Sequence, residues 1–248
     1  MSSEQARSGG VTWGTVAAAM IGPALVWLLA MVYLTVPAFS LEWVIRRGST
    51  EYQFVEMTTF GAAFVAALML GVVAMKLWRF KSPDGTRPVR IGAMAVGLIG
   101  AASFVFAMEE VSWGQTFLGW ETPEGYSEFS RETNIHNSDI PLQSLGSVFI
   151  IVMFFVLPLL WRFRAKWNLP EGLAPSIAWG PSVVCMISAF VWKEWKGIYR
   201  AIHPDYEEHA VYDEFFHNIS EHKEMLIAVG LLIYAVERVR AGRRLKKG

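Results

Sequence analysis

A chain of 248 residues that is 53% hydrophobic and 14% aromatic, with a mean hydropathy of +0.33, is too apolar for an ordinary soluble domain. Its 22 basic and 22 acidic residues cancel, its basic terminal RVRAGRRLKKG reads as an orientation signal with affinity for anionic lipid rather than a nucleic-acid site, and its single cysteine excludes an internal disulfide or a thiolate cluster. The expectation is an all-α integral membrane bundle of one domain, with six transmembrane helices and two structured outward-facing loops.

The expected spans are apolar runs of about twenty residues or more, enough to cross roughly 30 Å of hydrocarbon. The first, Trp13–Phe39, lacks a basic leader and a small-residue cleavage pattern, so it reads as a retained helix and not a signal peptide. Thr50 and Gln53 form a capping-box pattern before the second span, Phe54–Trp78. The punctuation Pro83-Asp84-Gly85 then predicts a tight turn and an antiparallel pairing with the third span, Val89–Glu110.

That third span ends in FAMEEVSWGQ, placing Glu109 and Glu110 at a helix C-terminus, where the macrodipole disfavours negative charge. Ionisable groups at such a boundary are functional candidates. The next loop is aromatic, with Trp113, Phe117, Trp120, Tyr126 and Phe129, and reads as a lid folded over the bundle. Its end, RETNIHN, puts Glu132 and His136 four apart, either as ligands of one ion or as caps of the next helix.

The fourth span, Leu142–Trp161, reads as scaffold, and the fifth, Leu173–Trp192, as a helix bent by Pro175 and Pro181. Before the last span, Met225–Val239, stands DEFFHNISEHKE. As a helix it aligns Glu214, His217, Glu221 and Glu224 on one face. Stacked carboxylates repel, so the stripe is either solvated or shares a cation or proton.

Fifteen of the 22 Lys and Arg fall in the termini and in two of the connecting loops, which makes both termini cytoplasmic by the positive-inside rule. All five histidines and most acids fall on the opposite side. The motifs EEVSWGQ and ETNIHN, spaced by an aromatic loop containing ETPE, resemble a set of uncharacterised multi-pass bacterial membrane proteins carrying EE-x-SWGQ and ETN-x-HN. That resemblance implies a site in a bacterial inner-membrane protein and brings no activity with it. A looser similarity, to alkaline-ceramidase-like membrane hydrolases, rests on Glu109, Ser112 and His217; here the second histidine, His222, is five residues on, where that family has an H-x-x-x-H pair.

Carboxylates with imidazoles and no thiol suit Zn, Fe or Mn. The expected ligands of such a divalent metal are Glu110, Glu132, His136, Glu214, His217 and Glu221, with Glu109 as the catalytic proton donor or acceptor. Trp113, Gln115, Arg131 and Asn137 are the expected substrate contacts. The expected activity is that of a metal-dependent hydrolase or oxidoreductase acting on a lipid or lipid-linked substrate at the extracytoplasmic face. The alternatives are a proton- or cation-translocating transporter, and a non-catalytic subunit that docks a membrane partner or a second copy of itself.

Overall fold

The computed structural model describes residues 54–80, 89–114, 118, 142–202 and 210–245. The expected first span, Trp13–Phe39, lies outside them. Among the described residues every regular element is helical. These are α1 (Phe54–Arg79), α2 (Val89–Glu110), α3 (Leu142–Ile151), α4 (Leu157–Arg162), α5 (Pro181–Ile202) and α6 (Ala210–Leu245), with short turns between them.

The expected antiparallel pairing of the second and third spans is seen in α1 and α2. Contacts run in opposite directions along the two chains. Arg90 lies over the Trp78 ring at 5.5 Å, Gly97 faces Ala74, Gly100 faces Leu70, and Phe104 meets Phe64 at 6.2 Å. Small residues permit this approach: a Cβ on Gly100 would stand 3.1 Å from that of Leu70. Helix α6 lies along α1 and α5, and Leu70, Val96, Ile99, Phe154, Met186 and Leu231 meet in the common core.

Two helical stretches, Glu56–Arg79 and Arg90–Glu110, are long and apolar enough to cross a membrane. Only 28% and 39% of their apolar windows are buried, and Leu68, Met94 and Leu98 are each more than half exposed. Helices at the core of a soluble domain would hide these side chains. The other expected spans do not reach that length in the described residues. Gly146–Arg162 and Pro181–Val191 are shorter apolar helices. In α6 the uncharged run between Glu224 and Glu237 covers twelve residues, or about 18 Å of helix at 1.5 Å per residue. Six crossings are therefore not evident from helix length and composition.

The fifth expected span also needs correction. Residues 173–180 are not α-helical: Glu171–Ser176 is a 3₁₀ turn containing Pro175, Ile177 is extended, and Gly180 has φ 37°. Proline lacks an N–H and pushes the preceding residue out of the helical region, so α5 starts at Pro181, its first-turn position. Pro158 has a different outcome. Ahead of it the helix widens into a π turn, Val152–Val156, with the Leu157 N–H reaching back to the Val152 carbonyl. The widening makes room for a ring that would otherwise strike the carbonyl four residues earlier. It also sets Phe154 edge-on to Tyr234 at 5.2 Å and Phe155 edge-on to Phe190 at 5.8 Å.

In the non-helical segment before α5, Ser176, Ile177 and Ala178 are buried, and α6 supplies partners to its backbone. Tyr234 donates its hydroxyl to the Ser176 carbonyl at 2.7 Å. Arg238, 4% exposed, donates to the Pro175 carbonyl at 2.9 Å. Glu237 accepts both the backbone N–H of Ser182, at 3.1 Å, and its hydroxyl, at 2.9 Å. A carboxylate from one helix thus caps the N-terminus of another, where the helix dipole favours it. Gly92 lets α2 close on the same segment, because a Cβ there would fall 2.3 Å from the Gly172 carbonyl oxygen.

Candidate functional site

At its C-terminus α2 stops in an unusual way. Ser112, Trp113 and Gly114 take φ values of 46°, 57° and 90°, forming a left-handed turn closed by the Gly114 N–H on the Val111 carbonyl at 2.8 Å. Glycine accepts this conformation freely; Ser and Trp do so at a cost of roughly 1–2 kcal/mol each. Burial of Val111, Ser112 and Gly114 holds the turn in place. Such strain tends to persist where a side chain must be aimed.

The turn folds Trp113 back over the helix end, so that its indole N–H donates to a carboxyl oxygen of Glu109. Glu109 is 4% exposed, and this donor opposes the unfavourable dipole at the helix C-terminus. The SWG segment therefore does more than link a helix to a loop. It positions a carboxyl group.

Beside Glu109 lies a cavity of about 390 Å³ between α2, α3 and α6. Glu109, Glu110, Lys223 and Glu224 line it together with Ala102, Phe106, Phe149, Ile150, Ile227 and Leu231. The charged groups stand at the C-terminal end of α2 and in the adjacent turn of α6, while the apolar wall continues along both helices. Ser103, also on this wall, gives its hydroxyl to the Ile99 carbonyl at 2.8 Å. Polar chemistry is thus concentrated at one end of an otherwise apolar chamber.

Of the residues expected to form a site, Glu109, Glu110 and Trp113 meet here, and Glu224 joins them from the acidic stretch. That stretch is helical throughout, since α6 begins at Ala210. The side chains of Glu214, His217 and Glu221 lie outside the described residues, as do Gln115, Arg131, Glu132, His136 and Asn137. Among the described residues no group of three or more His, Cys, Asp or Glu is gathered as a metal ion would require. Lys223 and Gly146 line the cavity without having been expected there. The signal for Lys223 was available in its place next to Glu224, one turn before the apolar run.

No protein-family profile matches the chain, and no curated protein or solved structure is similar to it.

Proposed function

We propose that this is a multi-pass membrane enzyme that acts on a lipid or lipid-linked substrate at the outer face of a bacterial inner membrane. In this reading the chain crosses the bilayer six times with both termini in the cytoplasm, as its Lys and Arg distribution favours. The exposed apolar flanks of α1 and α2 support a lipid environment. The observation that carries the functional reading is a cavity whose long apolar wall ends on carboxyl groups, one of them buried and held by Trp113. Ligand sites characteristically combine apolar walls with a few placed polar groups.

Glu109 serves as the proton donor or acceptor, and Glu110, Lys223 and Glu224 surround the polar part of the substrate. Were a divalent metal bound, Glu110, Glu132, His136, Glu214, His217 and Glu221 would be the residues to hold it, and it would supply Lewis-acid chemistry.

The test uses purified protein in nanodiscs made from a total bacterial lipid extract, followed over time by lipid mass spectrometry. Wild type is expected to deplete one lipid class and accumulate a product, and Glu109→Gln to abolish the change. Identical lipid profiles for wild type and variant would remove the enzymatic reading. Elemental analysis of the same preparation tests the metal, with about one Zn, Fe or Mn per chain expected if the ligands converge as read from the sequence.

A further inference from the structure

We infer that the cavity seats one hydrocarbon chain of a bilayer lipid, admitted sideways past Gly146, with the polar head at the Glu109 end. This assignment rests on the proposed lipid-directed function and specifies how the substrate is held. Along α6 the cavity runs from Lys223 to Leu231, eight residues or about 12 Å of helix. Over that length the wall is mostly aliphatic or aromatic, and of its two hydroxyls, Ser103 and Ser147, that of Ser103 is given to the Ile99 carbonyl. Dry apolar cavities take apolar occupants. A volume near 390 Å³ lies toward the small end of the range of roughly 300–1,000 Å³ typical of ligand sites, which suits one chain better than two.

The side entrance follows from exposure. Gly146 and Val105 both line the cavity and both are exposed. Next to them Phe104 and Val148 present apolar surface outward, so the path from the bilayer into the cavity is flanked by apolar side chains, with Ser147 the one hydroxyl beside Gly146. Gly146 keeps this path open, because a Cβ built there meets no atom within 4 Å. A larger residue would narrow the opening without disturbing the packing, and leucine also favours the helix over glycine.

The experiment places phosphatidylcholine carrying a mid-chain diazirine in nanodiscs with the full chain, irradiates it, and maps adducts by peptide mass spectrometry. Wild type is expected to be labelled at Ala102–Phe106 and Ile227–Leu231. Gly146→Leu should lower that labelling at least about tenfold, as excluding two methylenes would, with an unchanged melting temperature. Gly61→Ala, on α1 and outside the cavity lining, should label like wild type. Adducts confined to outward residues such as Leu98 and Val148, or cavity labelling unaffected by Gly146→Leu, would overturn the assignment. The two proposals separate cleanly: cavity labelling without lipid turnover in the wild type keeps the chain seat and removes the enzyme, whereas turnover without cavity labelling does the reverse.

Discussion

Helix α6 carries two polar clusters, about fourteen residues and four helical turns apart, and they differ in one respect that decides their roles. At one end Tyr234, Glu237 and Arg238 are spent on the backbone before α5. At the other, Lys223 and Glu224 face a cavity shared with Glu109 and Glu110. The first cluster makes an irregular backbone tolerable in an apolar setting, since buried carbonyls and N–H groups must find partners. The second leaves room for a molecule that is not part of the chain. The same residue types thus build a fastening in one place and a candidate site in the other, and the presence of space distinguishes them.

Substitutions should separate the two ends, beginning with the strongest. Arg238→Ala is expected to destabilise the fold by about 3 kcal/mol, because it removes a charged donor from the Pro175 carbonyl and the cation beside Glu237, which keeps only its Ser182 partners. Thermal unfolding in detergent would read this, and a melting temperature within a degree of wild type would refute the fastening role. Gly92→Ala should cost roughly 1–3 kcal/mol, since the new Cβ would overlap the Gly172 carbonyl oxygen. By contrast Gly61→Ala, where a Cβ meets nothing within 4 Å, should be neutral or slightly stabilising in the same assay.

Tyr234→Phe removes the hydroxyl that donates to the carbonyl of buried Ser176 and should cost about 1–3 kcal/mol. At the opposite end, Trp113→Phe should lower stability by no more than about 1.5 kcal/mol, the net value of one hydrogen bond, while slowing lipid turnover because Glu109 loses the donor that aims it. A turnover rate equal to wild type would show that the left-handed turn has no part in positioning the carboxyl group. No loss of stability is expected from Gly146→Leu, whose main effect should be on access to the cavity.

Much of the helical plan was legible because long apolar runs have few ways to satisfy their backbone. The expected bounds of α2 coincide with those observed, and those of α1 and the α3–α4 run agree closely. The fifth span misled because Leu173–Trp192 is apolar enough to read as one helix, although Pro175 and Pro181 break it into a turn and a later start. Arg238 and Glu237 fall at the end of the expected sixth span, Met225–Val239, and nothing local reveals a partner more than fifty residues earlier in the chain. Glu109, Glu110 and Trp113 were legible as a motif, but their relation to Lys223 was not.

Composition and apolar run length by themselves determined that this chain is strongly apolar and that its described residues are helical, because these properties depend only on residue order and backbone hydrogen bonding. Which carboxyl groups cap a helix and which line a chamber was decided only by the tertiary structure. That distinction depends on partners and voids contributed by residues distant in sequence, and packing alone sets their distances.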